Sequence, residues 1–227
     1  MGEKRKPLYW EASSKRDFKA FPIAVQKDLG VAPFIVQLGS TPPSAKPLKG
    51  FGAGVFELRD DHRGDTFRAV YAVKIGDAVH VLHAFKKKSK SGIAHAEVGH
   101  RSHREKVEDS SRPPRRKRED PMKRKDARSG IDNVLEDLGF DDAEELSTKA
   151  ALALRLNALI EERGLTQAQA ATVTGMTQPK ISQVRRYKLR NISLERLMQA
   201  LVALDQRVEI KVQPARHAHA AGITVAR

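Results

Sequence analysis

The pattern of apolar and polar positions divides the chain into two folded modules and a polar interval between them. Residues 95–130 have almost no apolar side chains and neither the 3.6-residue period of a helix nor the two-residue period of a strand. Such a segment cannot bury enough surface to offset its loss of conformational entropy. We therefore predict modules at 1–94 and 131–213, a disordered basic linker at 95–130 and a flexible tail at 214–227.

The first module is predicted to be a small α+β domain. Ser13 and Ser14 precede a short helical pattern, and Pro22 opens a second one, since proline is tolerated in a first turn. Residues 39–54 are rich in turn formers and are predicted to be a loop. Alternating apolar positions then predict the three strands of an antiparallel meander: Val55–Arg59, Phe67–Lys74 and Ala78–Phe85.

The second module is predicted to be an all-α helix-turn-helix bundle with a short terminal strand at 208–212. Its first long helix is expected to open at Ser147–Thr148, after the acidic stretch 131–147, and to end at Gly164. A short helix, a turn containing glycine and a second short helix make a helix-turn-helix. The residues that indicate its helix ends are Thr166 with Gln169 as a capping box, Gly175 in the turn, and Thr177 and Ser193 as N-caps.

Composition indicates the class of partner. The 227 residues carry a formal net charge of +14, which attracts polyanions, nucleic acid above all. The chain has no cysteine, which excludes disulfides and thiolate metal sites, and no apolar run long enough to cross a membrane. We expect a cytoplasmic protein without membrane contact, cofactor or metal, and we take the pair His217 and His219 as incidental because a third ligand is missing.

Cationic side chains collect at one end of the predicted sheet. Glu57 and Arg59 are two residues apart and so share a face, Arg68 lies in the middle of the next strand, and His83 precedes a run of lysines. One interpretation is a sheet with a solvated face, which antiparallel sheets commonly have. The other is a cleft for a phosphodiester backbone, and the spacing does not decide between them.

The sequence LKGFGAGVFELRDDHRGDTFRAVYAVKIGDAVHVLHAFKKKSK resembles the HigB-like, phage-derived branch of the RelE-type toxins. The shared motifs run L-x-G-x-x-x-x-E-L-R, then R-x-x-Y, then hydrophobic-L-H-x-F-x-K-K, and the resemblance covers residues 8–94. It implies a small α+β domain that cleaves messenger RNA on the ribosome. The residues it places at the RNA site are Lys49, Arg59, Arg68, His83, Lys86 and Lys87.

These residue types suit RNA cleavage without a metal. The 2′-hydroxyl of the substrate attacks the adjacent phosphorus, so a base must take its proton and cations must stabilise the phosphoryl oxygens. Arg59 and Arg68 fit the second task, and His83 or Lys49 could exchange the proton. Tyr71 is three residues from Arg68 and is expected in the core. Whether this domain is an active endoribonuclease or an inactive one is left open by the sequence.

The sequence LTQAQAATVTGMTQPKISQVRR resembles the Cro and phage-repressor (XRE) helix-turn-helix type, and more narrowly the HigA-like antitoxin that partners HigB-like toxins. This resemblance covers residues 148–205 and implies operator binding as a homodimer, with the second helix in the major groove. Gln178 could then address adenine and Lys180 guanine, and Ile181 and Val184 should be core. The predicted DNA-binding residues are Gln167, Thr177, Gln178, Lys180, Ser182, Arg185, Arg186 and Lys188.

Together the two halves predict a fused, autoregulated toxin–antitoxin protein that binds operator DNA. Its expected partners are DNA, messenger RNA on the ribosome, and the complementary half of the same chain or of a second copy. We expect the acidic stretch 131–147 to meet the cationic end of the sheet. The alternative is a plain helix-turn-helix regulator whose N-terminal domain is catalytically inactive.

Overall fold

A computed structural model describes residues 5–51, 53–73, 77–87, 130–212, 214 and 225. Residues 95–129 of the predicted linker at 95–130 and most of the tail lie outside the described residues. Along the chain the elements are β1 (Leu8–Trp10), α1 (Ser14–Lys19), α2 (Ile23–Gln37), β2 (Lys46–Pro47), β3 (Val55–His62), β4 (Asp65–Ala72), β5 (Val79–Lys87), α3 (Val134–Asp137), α4 (Ala143–Glu162), α5 (Gln167–Thr174), α6 (Gln178–Arg185) and α7 (Leu194–Ala203). The predicted order, an α+β module followed by a helical one, is confirmed.

The N-terminal sheet has the strand order β1-β5-β4-β3-β2. The meander β3-β4-β5 is antiparallel as predicted, but β1 adds a parallel strand beside β5, so the sheet is mixed. Sequence pattern did not reveal β1, because three residues are too few to establish alternation. The β3–β4 hairpin turns at Arg63 and Gly64, both at positive φ, which matches the right-handed twist of the strands and lets β3 extend to His62.

The long helix α2 covers one face of this sheet. It begins after Pro22, as predicted, and continues through Pro33 to Gln37 because its middle is apolar and buried on nearly every side. Phe21, just before the helix, meets Phe67 of β4 edge-on, with 5.1 Å between the ring centroids. We call this side of the sheet the helix face, and Leu58, Phe67 and Tyr71 point into it.

In the C-terminal module α4 begins at Ala143, four residues before the predicted start. The hydroxyls of Ser147 and Thr148 do not cap a helix. They donate to the carbonyls of Ala143 and Glu144 one turn earlier, a bond that serine and threonine make inside helices. The predicted terminal strand is also absent, since residues 206–212 belong to no helix or strand and no described segment pairs with them.

The two modules share one hydrophobic core. Helix α2 contacts β3 and β5 on one side and α3 and α4 on the other. Leu135, Leu138 and Phe140 pack beside Gly30 of α2, where the missing side chain lets them approach. Buried apolar residues of both modules therefore form one cluster that is continuous in space and includes Leu8 and Leu204.

Polar contacts fix this packing. The buried side chain of Gln37 donates to the carbonyl of Ile131 at 2.8 Å and accepts from the backbone N–H of Val134 at 3.1 Å, which satisfies the start of α3. The Trp10 indole and the Lys15 ammonium both donate to Asp137, at 2.9 and 2.8 Å. These hydrogen bonds and ion pairs join buried or half-buried polar groups of one module to those of the other. The two modules therefore form one packed body.

Candidate nucleic-acid interfaces

The helix-turn-helix is built by local signals. Thr166 and Gln169 form the predicted capping box, and Gly175 ends α5 at φ +64°, a conformation that favours glycine. The carbonyl of Gly175 accepts a hydrogen bond from the Arg196 guanidinium of α7. Thr177 stands at the N-cap of α6 but its side chain makes no capping bond. The predicted cap of α7 is confirmed, since the Ser193 hydroxyl accepts from the backbone N–H of Arg196.

Helix α6 presents its polar side chains to solvent. Ile181 and Val184 are fully buried, as predicted, and fix which side of the helix faces the core. Thr177, Gln178 and Lys180 at its N-terminal end are exposed, whereas Ser182 and, at the start of α5, Gln167 are half-buried. The N-terminal end of a recognition helix is the part that reaches base edges, so the residues predicted to read DNA are placed accordingly. Their role stays a prediction.

The cations after α6 divide into two groups. Arg185 and Arg186 are exposed and form no ion pair within the described part of the chain. Lys188 instead contacts Asp60 of β3, with 2.6 Å between Nζ and Oδ1, and the Nε of Arg190 lies 3.3 Å from Asp28 of α2. Lys188 therefore lies at the contact between the modules, away from the exposed pair Arg185 and Arg186.

The opposite side of the sheet, which we call the open face, carries most of the predicted RNA-site residues. Arg59, Arg68 and Phe85 are neighbours in one row across β3, β4 and β5. Leu82 is the extra residue of a β-bulge, after which His83, Phe85 and Lys87 alternate on the open face. His83 and Phe85 stack, with ring centroids 5.2 Å apart.

Both arginines of this face are held by carboxylates. Arg68 pairs with Glu57 at 2.5 Å, both side chains mostly buried, and its Nε has no hydrogen-bond partner among the described residues. Arg59 is half exposed and donates to Asp61 at 3.0 and 3.1 Å. The hydroxyl of Thr66 and then Arg59 hold the pKa of Asp61 below its ordinary value. A phosphate would have to compete with these carboxylates.

Two of the predicted residues are placed differently. Lys86 lies on the helix face, where its ammonium sits 2.6 Å from Asp65 and 6.0 Å from the centroid of the Phe67 ring. Lys49 is exposed on the loop between β2 and β3, whose Leu48 and Phe51 pack at the open face. The structure thus brings Arg59, Arg68, His83 and Lys87 onto one face and separates Lys86 from them.

Tyr71 is core, as predicted, although the bulge lies beside it. Only 1% of it is exposed, its ring stacks on Phe56, and burial raises the pKa of its hydroxyl, which has no described hydrogen-bond partner. Sequence reasoning missed Glu57 as the partner of Arg68 and Phe85 as the partner of His83. Alternation along the strands, combined with the register that the two hairpins impose, could have placed these residues on one face.

The acidic stretch 131–147 meets cations of the N-terminal module, but on α1 and α2. Asp137 contacts Lys15, and Asp142 contacts Lys27 at 2.6 Å. These contacts lie on the helix side of the sheet. The expectation that this stretch docks at the cationic open face is therefore wrong for these two acids, because the apolar side chains of α3 are buried against α2 and carry the neighbouring carboxylates with them.

Among the described residues, no helix is long and apolar enough to cross a membrane, and no group of three or more histidine, aspartate or glutamate side chains could hold a metal ion. The pair His217 and His219 lies outside the described residues.

Comparison with known proteins matches two separate segments of the chain to two different families. Residues 16–99 match the family described as "Phage derived protein Gp49-like (DUF891)", and residues 134–213 match the family described as "Helix-turn-helix domain". A solved structure described as "Putative XRE Family Transcriptional Regulator" is 51% identical; the match covers 38% of this chain and 98% of that one, with a TM-score of 0.34. The N-terminal module is thus similar to the Gp49-like family, and the C-terminal module is similar to helix-turn-helix domains of the XRE type. No curated protein matches the chain. Below, the two modules are called the Gp49-like domain and the XRE domain.

Proposed function

We propose that the chain is a self-contained toxin–antitoxin regulator whose XRE domain binds operator DNA and represses transcription of its own gene. The observation that carries the proposal is the surface of α6, where Gln178 and Lys180 stand exposed on a helix anchored by Ile181 and Val184. Glutamine suits the paired donor and acceptor of adenine, and lysine suits the two acceptors of guanine. Exposed Arg185 and Arg186 supply positive charge at the other end of the helix, where phosphates would lie.

Selection of duplexes from a random pool by the full-length chain tests this function. The wild type should enrich one motif, and Gln178→Ala or Lys180→Ala should each relax the preference at one position, by about 1–3 kcal/mol per contact. Lys86→Ala, on the helix face of the sheet, is the matched control and should leave the motif unchanged. Equal retention of all sequences would make the chain a general nucleic-acid binder and contradict the proposal.

We infer a second activity, cleavage of messenger RNA, for the Gp49-like domain. It is supported by the register of the sheet, which places Arg59 directly opposite Arg68 on the open face, with His83 two rows away on the same surface. Arginines there would stabilise the charge on the phosphoryl oxygens, and an imidazole would exchange the proton of the 2′-hydroxyl. The ion pairs with Glu57 and Asp61 favour the alternative, a regulator with an inactive Gp49-like domain.

Expression of residues 1–121 under tight induction, with mapping of RNA 5′ ends and of growth, separates these alternatives. An active toxin should arrest growth and create new 5′ ends, both lost in Arg59→Ala and retained in Lys86→Ala. Circular dichroism should first establish that the fragment is folded, because its α2 surface is normally covered by α3 and α4. A folded fragment that leaves RNA and growth unchanged would make the chain a regulator only.

The fused arrangement also supports intramolecular neutralisation. Tethering can give an effective concentration on the order of millimolar, so the two domains remain together without a second copy. The XRE domain docks on the helix side, while Arg59 on the open face keeps 49% of its side chain exposed. Neutralisation of this toxin domain would therefore act from the helix side. The full-length chain should leave growth and RNA unchanged where the folded fragment does not.

A further inference from the structure

The end of strand β3 lies beside helix α6. His62 of β3 and Gln183 of α6 line the same polar cleft. Just beyond α6, Lys188 also lines this cleft and pairs with Asp60 of β3, which is 4% exposed. The β3–β4 hairpin of the Gp49-like domain therefore stands next to the C-terminal half of the helix that the proposed function places in the major groove.

The turn of this hairpin carries an exposed cation on a fixed backbone. Arg63 and Gly64 form the turn, and the hydroxyl of Thr66 donates to Asp61 across the two strands at 2.7 Å. The Arg63 side chain is exposed and forms no ion pair within the part of the chain that the structure describes. A guanidinium held in this way suits a charge-assisted contact with a phosphate oxygen.

The carboxylates of the same hairpin end do not oppose such a contact, because each is paired with a cation. The pairs are Asp60–Lys188 at 2.6 Å, Asp61–Arg59 at 2.9 Å and Asp65–Lys86 at 2.6 Å. Arg63 therefore stands beside α6 as a positive charge that these carboxylates do not balance. A polyanion is the partner that this charge fits.

We propose that the β3–β4 hairpin is a second DNA-binding element, in which Arg63 contacts a backbone phosphate beside the major groove that α6 enters. The major groove is about 12 Å wide, so a sugar–phosphate backbone runs along each side of an inserted helix. An element that lies beside the helix meets one of these backbones. Phosphate contacts add affinity without reading bases, so the hairpin strengthens binding and leaves sequence preference to α6. The inference rests on the proposed operator binding by the XRE domain.

Titration of a duplex that carries the motif enriched by the wild type tests this contact in the full-length chain. Arg63→Ala should weaken binding and lower the magnitude of the slope of log affinity against log salt concentration by about 0.9, while the enriched motif stays unchanged. Lys46→Ala is the matched control and should change neither quantity. Lys46 is another exposed cation of the Gp49-like domain, and it pairs in register with Glu57, about 17 Å along β3 from His62.

Directed cleavage tests where the turn lies on the DNA. The chain has no cysteine, so an iron chelate can be attached to a single introduced thiol in Arg63→Cys or in Lys46→Cys. Hydroxyl radicals from position 63 should cut the backbone at the edge of the motif, and those from position 46 should give no cuts above background.

An unchanged salt slope in Arg63→Ala would overturn the proposal and leave operator binding by the XRE domain intact. The same holds if position 63 gives no cuts on a duplex that the variant still binds through its motif. A wild type that enriches no motif would contradict operator binding itself, and this inference with it.

Discussion

Lys188 and Arg190 show how the surroundings of a side chain decide its role. By sequence both belong to a run of cations that follows a recognition helix, where phosphate contact is the natural expectation. In the folded chain they turn toward Asp60, which is 4% exposed, and Asp28, which is mostly buried. Pattern alone could not reveal this, because the acids come from strands and helices more than a hundred residues away.

Removing Lys188 should therefore cost stability. Lys188→Ala leaves the Asp60 carboxylate buried without its cation, and we expect the free energy of unfolding to fall by about 1–3 kcal/mol. Arg185→Ala removes an exposed cation of the same region and should change it by no more than about 0.5 kcal/mol. Chemical denaturation of both variants measures the difference. Equal stabilities would mean that the Lys188–Asp60 contact contributes nothing.

Asp28, which pairs with Arg190, gives this region a pH-dependent contribution to stability. Burial raises the pKa of its carboxyl above the ordinary value of 3.8, although Arg190 lowers it in part. The folded chain then holds this proton at a higher pH than the unfolded chain, so the contribution of Asp28 to stability decreases as pH rises through the raised pKa. The unfolding free energy of the wild type, minus that of Asp28→Asn, should fall as pH rises from the ordinary pKa of the carboxyl to the raised pKa. Above the raised pKa it should level off. Denaturation across a pH series checks this, and a difference that grows with pH would contradict it.

At the scale of elements, the sequence predicts what neighbouring residues determine. The capping box at Thr166 and the glycine turn at Gly175 place α5 and α6, because their bonds join residues a few positions apart. The start of α4 and strand β1 could not be predicted in this way. The first depends on packing of α3 and α4 against α2, and the second on a strand seventy residues away. The candidate site follows the same rule: the face shared by Glu57 and Arg59 was predictable, and their partners were not.

The contact between α2 and α3 depends on a position without a side chain. A Cβ at Gly30 would lie 3.2 Å from Leu138 Cδ1 and 3.4 Å from Leu135 Cδ2. Gly30→Leu should overpack this contact and lower the free energy of unfolding by about 1–3 kcal/mol. In Gly30→Ala the close contacts of a single methyl group cost stability, but alanine gains about 1 kcal/mol in helix propensity over glycine. The loss of unfolding free energy should therefore be smaller than in Gly30→Leu. Denaturation curves measure both, and an unchanged Gly30→Leu variant would contradict the observed packing.

At the scale of the whole molecule, one packed body presents two separate charged surfaces. Helix α6 faces solvent in the XRE domain, and the open face of the sheet lies opposite the side on which that domain docks. Lysines at the contact between the domains form ion pairs with carboxylates, as in Lys15–Asp137 and Lys27–Asp142, so they are not available to nucleic acid. We propose that the cations of this region divide accordingly: exposed Arg185 and Arg186 contact DNA, whereas Lys188 contacts Asp60 of the Gp49-like domain.

The salt dependence of operator binding by the full-length chain tests that claim most directly. Each phosphate contact contributes about 0.9 to the slope of log affinity against log salt concentration. We expect Arg185→Ala to reduce the magnitude of the slope by about one contact, and Lys188→Ala to leave the slope at its wild-type value at a temperature where the variant is fully folded. A reduced slope in Lys188→Ala, with an unchanged slope in Arg185→Ala, would place Lys188 on the DNA and contradict this division of the cations.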